Sequence, residues 1–338
     1  MARQFHIAPA TVNAFRRALP RWYRRHKRDL PWRRTRDPYA IWVSEIMLQQ
    51  TRVETVIPYY ARWMRVFPTV AALARAPASR VLKLWEGLGY YSRARNLRRA
   101  AQMVVGRVAP LARPRGFRTS RRLVPTTAVD LRRLPGVGRY TAGAIASIAF
   151  DECAALVDGN VARVFARVFN IRANVKLPAT RRRLWKLAEA LLPARGCGEF
   201  NQALMELGAL VCLPANPRCE GCPLRRVCRA PGDALPNRGP KQRIHRVTED
   251  VMLAQRDGKV LLRRRPASGL LAGMWELPPY DGRSGRLVLT VRHAVTNRRI
   301  TLRVWKCRLR KPPRGCCWMS PRSLTMPSAH RRALALAH

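Results

Sequence analysis

Four cysteines constrain this chain more than any other feature. Cys212, Cys219, Cys222 and Cys228 are separated by six, two and five residues, a spacing that lets one short loop close around a single centre with four thiolates pointing inward. That donor set suits a [4Fe-4S] cluster or a zinc ion, and ligand type alone does not separate the two. The remaining cysteines, Cys153, Cys197, Cys307, Cys316 and Cys317, share no such pattern. They read as small buried hydrophobes or surface thiols.

Charge sets the class of partner. With 66 Lys and Arg against 19 Asp and Glu, the chain carries a formal net charge of +47. A protein this basic is drawn to polyanions, and nucleic acid is the commonest, because neutralised phosphates release condensed counterions. The excess is nearly all arginine, which a genome rich in G and C would also place on any solvated face, so charge alone does not decide the matter. Residues 1–17 lack the apolar run of a signal peptide, and the longest apolar stretch, residues 142–150, is too short to span a bilayer. The expectation is a soluble protein of the bacterial cytoplasm, associated with the nucleoid and acting as a monomer. In such a reducing compartment the cysteines point to metal rather than to a disulfide framework.

At 338 residues two domains are the default, each with its own core. Over residues 11–209 apolar side chains recur at helical spacing, as in Val53, Val56, Ile57 and Tyr60, or Leu184, Leu187, Ala188 and Leu191. Residues 229–246 are rich in Pro, Gly and basic residues without periodicity, as a linker would be. Beyond them, residues 251–254, 260–263, 287–291 and 300–305 are short β-branched runs separated by turns such as Asp257-Gly258. The expected boundaries are a helical domain over 1–230, a linker over 231–247 and a strand-bearing domain over 248–338. Residues 106–122 form a basic, proline-bearing loop.

Thr127 and Asp130 have the spacing of a capping box that starts a short helix through Leu134, which Pro135-Gly136-Val137-Gly138 then breaks before a second helix near Arg139. Glycines at 136 and 138 can take positive φ and let a phosphate approach the backbone, while the free N–H groups of the next helix favour an anion. Such a turn could equally be a plain helix connection. Glu45 lies in a helical stretch, residues 41–51, that is apolar on nearly every side. A poorly solvated carboxyl keeps its proton towards neutral pH and can give it to a leaving base; pairing with one of the many arginines is the alternative. Asp158, in Val157-Asp-Gly-Asn160, reads first as the N-cap of the following helix.

These motifs together resemble the endonuclease III and MutY superfamily of DNA glycosylases. The cysteine spacing, the run Leu134-Pro-Gly-Val-Gly-Arg-Tyr-Thr-Ala142 and Ser44-Glu-Ile-Met-Leu-Gln-Gln-Thr51 carry the resemblance, which extends over residues 30–228. It implies a [4Fe-4S] cluster on the four cysteines in a loop over 212–228, and a helix-hairpin-helix over 127–148 that grips DNA through Pro135, Gly136, Val137 and Gly138. It also implies that Glu45 is the acid of MutY-type adenine glycosylases and that the Asp158 carboxylate steadies the oxocarbenium-like sugar as the base leaves. Tyr140 joins this catalytic group, standing where endonuclease III carries its Schiff-base lysine. Without an amine there, strand cleavage loses its nucleophile, so the resemblance implies a monofunctional enzyme.

By the same resemblance Arg28, Trp32, Leu48, Gln202 and Met205 wall an adenine pocket, and Gln50, Leu88, Tyr90 and Asn160 contact DNA. Core packing is the alternative for Leu88 and Tyr90. Residues 248–338 resemble a Nudix-type α+β fold, clearest at residues 258–263 and 269–278, but without the glutamate-dense box that binds magnesium in the hydrolases. Pyrophosphate hydrolysis is therefore not expected, and the implied role is recognition of 8-oxoguanine opposite adenine. The lesion-reading Phe-Ser-His of some relatives aligns with Val295-Thr296-Asn297, which makes Thr296 and Asn297 the recognition candidates. The implied whole is a two-domain adenine glycosylase of base excision repair, acting on adenine opposite 8-oxoguanine or guanine in double-stranded DNA. The competing readings are an endonuclease III-like glycosylase/lyase for oxidised pyrimidines, disfavoured by Tyr140 and Glu45, and a non-catalytic DNA-binding relative.

Overall fold

Local signals place helix after helix before residue 211. In the computed structural model, which describes residues 7–106, 123–232, 234–240, 243–266, 269, 271–282, 285–295, 297–309 and 311–337, they run as α1 Pro9–Asn13, α2 Leu19–His26, α3 Pro38–Leu48, α4 Val53–Val66, α5 Val70–Arg75 and α6 Ala78–Trp85. There follow α7 Ser92–Gly106, α8 Ala128–Leu131, α9 Arg139–Phe150, α10 Gly159–Val168, α11 Pro178–Leu191 and α12 Cys197–Leu210. Capping residues fix several starts. Asp37 accepts the Tyr39 N–H at 2.8 Å ahead of α3, with Pro38 in the first turn, where its missing N–H costs nothing. Thr127 accepts the Asp130 N–H at 3.1 Å ahead of α8. The capping-box spacing thus marks a real helix start, but α8 ends at Leu131 rather than Leu134 and gives way to turns.

The chain forms two compact units that do not follow a single cut in sequence. Met1–Arg75 and Asn96–Pro240 make the first, Ala76–Arg95 and Lys241–His338 the second. In the first, α3 packs against α4 and α9, and α12 against α2, α9 and α10. Phe15, Leu19, Val161, Phe165, Leu184, Phe200, Leu204 and Leu207 form much of its core, each such side chain contributing roughly 1.5–3 kcal/mol by leaving water. Two glycines let α12 sit close to its neighbours. A Cβ on Gly198 would fall 2.3 Å from the Ser147 carbonyl oxygen of α9, and one on Gly208 would fall 2.6 Å from Asn160 Cβ of α10.

The stretch expected as a linker is tied down over its first half. The Ala230 N–H donates to the Arg167 carbonyl at 3.0 Å, the Val175 N–H to Asn237 at 2.9 Å, and Arg167 Nε to Leu235 at 2.8 Å. A segment without periodicity is thereby held to the helical unit by long-range bonds rather than by a regular ladder.

In the second unit the strands are β1 His245–Leu253, β2 Gln255–Arg256, β3 Lys259–Arg264, β4 Trp275–Glu276, β5 Arg286–Val295, β6 Arg298–Lys306 and β7 Cys316–Met319, followed by α13 Ser328–Leu336. One sheet has the order β1-β6-β5, with β1 parallel and β5 antiparallel to β6. The other is built on β3, which pairs antiparallel with β2, β4 and β7. Val251, Leu253, Leu262, Leu302, Val304 and Met326 lie in the core, with α13 against β5. Buried Glu276 is neutralised by Arg263 at 2.8 Å and by Arg265. No helix among the described residues is long and apolar enough to cross a membrane.

Candidate active site

Glu45 sits in the last turns of α3, a helix in which every residue from Pro38 to Met47 is buried. Its residue is 6% exposed. Burial pushes its carboxyl up from 4.5 to about 7, the nearby Asp158 charge adds to the rise, and a hydrogen bond from Tyr140 and the charge of Arg33 oppose it. The Tyr140 hydroxyl donates to Glu45 Oε2 at 2.8 Å and lies 3.2 Å from Met205 Sδ. One hydroxyl proton cannot serve both, and the carboxylate is the stronger acceptor. Burial, then the two neighbouring carboxylates, raise the Tyr140 phenol well above its ordinary value, so it stays protonated near neutral pH.

Asp158 caps α10 as the sequence suggests, Oδ1 accepting the Val161 N–H at 2.7 Å. Its Oδ2 accepts from Asn160 Nδ2 at 3.1 Å. Burial raises its pKa, against the backbone N–H groups of Val161 and Asn160 and the charge of Arg163. Arg163 donates in turn to Asn160 Oδ1 at 2.8 Å and to the carbonyls of Gly208 and Cys212, each at 2.6 Å. Glu45, Tyr140, Asp158 and Met205, from α3, α9, the N-cap of α10 and α12, thus share one place in the first unit.

The pocket candidates are held by partners that sequence reasoning missed. Arg28 donates to Glu206 through Nη2 at 2.7 Å and through its backbone N–H at 2.9 Å, and Arg33 bonds the same carboxylate at 2.8 Å through each Nη. Burial alone would raise the Glu206 carboxyl, but hydrogen bonds from Arg33 and Arg28 hold it down at about 2. Tyr23 donates to Gln202 Oε1 at 3.2 Å, and Trp32 is buried edge-on to Tyr60. Leu48 is half-buried at the end of α3. A charged residue four positions after Gln202, set among Ala203, Leu204, Met205 and Leu207, was the available signal for Glu206, and the Arg163/Arg167 pair among the apolar residues of α10 was its counterpart.

The hairpin between α8 and α9 turns at Gly136, whose φ of 79° suits glycine and whose Cβ would fall 2.8 Å from Asn96 Cβ. Gly138 does not take positive φ; at −84° it is the N-cap of α9, and no side chain caps that end. Val137 is buried. Gln50, just past α3, is exposed with a φ of 58°. In the second unit Tyr90 is 45% exposed with a φ of 45°, whereas Leu88 is buried. Non-glycine residues at positive φ are strained, and exposed ones recur at functional surfaces. Asn297 follows β5 and donates to the Arg243 carbonyl at 3.4 Å; Thr296 lies outside the described residues.

Cys212, Cys219, Cys222 and Cys228 line one cavity with Val164, Val168, Leu207 and Leu224. Arg167 reaches in, with Nη1 donating to Cys212 Sγ at 3.3 Å and to the Leu213 carbonyl at 2.7 Å. Among the described residues no group of three or more His, Cys, Asp or Glu side chains is arranged to hold a single metal ion. Four thiols around one cavity, with the buried Arg167 guanidinium beside Cys212 to offset thiolate charge, fit the four-thiolate donor set that a [4Fe-4S] cluster takes.

Residues 43–190 match the family described as HhH-GPD superfamily base excision DNA repair protein, and residues 250–336 match the NUDIX domain. An adenine DNA glycosylase of Rattus norvegicus is 43% identical over 325 residues, covering 80% of this chain and 61% of the relative. One of Schizosaccharomyces pombe is 33% identical over 333 residues, covering 80% of this chain and 70% of the relative. The chain thus spans about three fifths of the length of the rat relative. A solved thermostable thymine-DNA glycosylase superposes with a TM-score of 0.56 at 31% identity, over 65% of this chain and 96% of that one.

Proposed function

From the premise that this chain belongs to the adenine DNA glycosylase family of helix-hairpin-helix base excision repair proteins, we propose that it hydrolyses the N-glycosidic bond of adenine mispaired with 8-oxoguanine or guanine, without cleaving the strand. The observation that carries this reading is the buried Glu45 carboxyl, raised to about 7 beside Asp158 and Tyr140. A carboxyl of that pKa is about half protonated at neutral pH, where a general acid is most effective. It gives its proton to a ring nitrogen of adenine, which makes the base a better leaving group. Tyr140 orients the acid by donating to Oε2.

As the bond breaks, positive charge grows on the sugar. Asp158, its oxygens held by the Val161 N–H and Asn160, stands as a fixed negative charge in a dry site, where such stabilisation is strong. Water then attacks the sugar carbon. Tyr140 stands where the attacking amine would be, and a phenol has no nitrogen to form the Schiff base that strand cleavage requires.

Cys212, Cys219, Cys222 and Cys228 would hold a [4Fe-4S] cluster, which when bound supplies a structural cross-link rather than a reacting group. The positive hairpin amides at Gly136–Gly138 and the start of α9 fit a DNA phosphate. Gln50, Leu88 and Tyr90 serve the opened duplex and Asn160 the catalytic aspartate, while Arg28, Trp32, Leu48, Gln202 and Met205 form the pocket for the flipped adenine. The second unit, with Thr296 and Asn297, reads the opposing base. Single-turnover assays on duplexes with adenine opposite 8-oxoguanine, adenine opposite guanine, or thymine glycol, with and without alkali, test the reading. Adenine release with strands intact until alkali is the expected result; release of thymine glycol with spontaneous nicking would replace it by the pyrimidine-lyase reading.

A further inference from the structure

Two cysteines without a part in this chemistry lie side by side. Cys153 is exposed, in the connector that leaves α9 and ends at Asp158; Cys197 is fully buried, the first residue of α12. They are 44 residues apart in sequence, yet their Sγ atoms are 2.6 Å apart, well inside the contact distance of two non-bonded sulfurs. Cys197 Sγ also lies 3.1 Å from the Pro193 carbonyl, and Cys153 Sγ lies 3.5 Å from that of Ala194. Neighbouring bonds hold the pair in place. Asp151 accepts the Gly196 and Gly198 N–H groups at 3.2 and 3.0 Å, and Asn201 donates to the Ala154 carbonyl at 2.8 Å.

We infer that Cys153 and Cys197 are a dithiol site that low-molecular-weight disulfides oxidise, closing a bond between the α9–α10 connector and the first turn of α12. The exposed Cys153 thiolate attacks one sulfur of the small disulfide, forming a mixed disulfide and expelling one thiolate. The Cys197 thiolate then attacks the Cys153 sulfur and expels the second. The protein loses two protons and two electrons, and the oxidant gains both as two small thiols. The order follows from access and acidity, since burial, then the hydrogen bond and charge of Cys153, push the Cys197 thiol up to about 12. Once Cys153 is in the mixed disulfide, Cys197 needs no diffusion to reach it. Closing the bond fastens the segment that positions Asp158, so the helical unit becomes harder to unfold under oxidising conditions.

The test takes the full-length, cluster-loaded protein through a series of glutathione buffers from fully reduced to fully oxidised. Free thiols are then alkylated under denaturing conditions and located by peptide mapping. Cys153 and Cys197 should disappear together, with one linked peptide, and Tm should rise by about 5–10 °C. Cys153→Ser should leave Cys197 alkylatable throughout and abolish the rise. Cys153 ending as a stable glutathione adduct with Cys197 free, either cysteine pairing elsewhere, or both staying reduced across the series would overturn the inference. Because the readouts are thiol state and Tm, failure here leaves the glycosylase reading untouched, and loss of base release would not affect the thiol result.

Discussion

At the scale of single residues, the fold keeps Glu45 away from water, and both reactivity and stability follow from that. Its carboxyl ionises at about 7 instead of 4.5, so the native state disfavours the charged form. The associated stability is complete below pH 4.5 and is lost as pH rises through about 7. Glu45→Gln removes that loss, and urea denaturation at pH 8 should find the variant more stable than wild type by on the order of 2–3 kcal/mol. Adenine release should be abolished because the amide has no acidic proton, while mismatch binding persists; activity within tenfold of wild type would sink the assignment. The wild-type chemical step should also slow above about pH 7, towards tenfold per unit. Asp158→Asn separates two roles on one side chain. Asparagine caps a helix as well as aspartate does, so Tm should hardly move, whereas single-turnover rates should fall by orders of magnitude. A normal rate would leave Asp158 as a cap alone.

At the scale of elements, α12 joins the parts of the site. It carries Gln202, Met205 and Glu206, and Glu206 binds two arginines from the segment after α2 while being almost wholly buried. Glu206→Ala strands both cations, so we expect a loss of about 3–5 kcal/mol in equilibrium unfolding; a loss below 1 kcal/mol would mean that water compensates. The cysteine loop closes directly after α12. Protein prepared without oxygen should be brown and contain iron, and Cys219→Ser should lose the visible absorbance together with folding or DNA affinity rather than the chemistry of base release. Zinc in place of iron by metal analysis would overturn the cluster assignment.

At the scale of the whole molecule, the second unit includes Ala76–Arg95 as well as the C-terminal sheets. Lys83 reaches the Leu324 carbonyl at 3.3 Å, and Arg331 reaches Glu86 at 2.9 Å. Deleting residues 248–338 therefore removes the partners of Lys83 in α6 and of Glu86 just after it. Truncated protein should keep detectable adenine release, since Glu45, Asp158 and the hairpin remain, but should lose both Tm and preference for 8-oxoguanine. Asn297→Ala is the cleaner probe of base reading. A purine-edge hydrogen bond is worth roughly 1–3 kcal/mol, so the substitution should reduce preference for 8-oxoguanine over guanine by roughly 5- to 150-fold without changing Tm. Unchanged preference in mismatch affinity and single-turnover rate would remove Asn297 from that role.

The residue sequence by itself determined what is local or carried by spacing. Helical periodicity, the Asp158 cap, the break at Pro135-Gly136, the cysteine spacing and the apolar surroundings of Glu45 could be read because neighbours along the chain create them. Only the tertiary structure decided what depends on side chains far apart in sequence. It brought Tyr140 onto Glu45 across 95 residues, Arg28 and Arg33 onto Glu206, and Cys153 onto Cys197. It also assigned Ala76–Arg95 to the second unit and tied the supposed linker to α10. Such pairings leave no periodic trace, since a buried ion pair or thiol contact needs one suitable residue at each end and places no demand on the residues between.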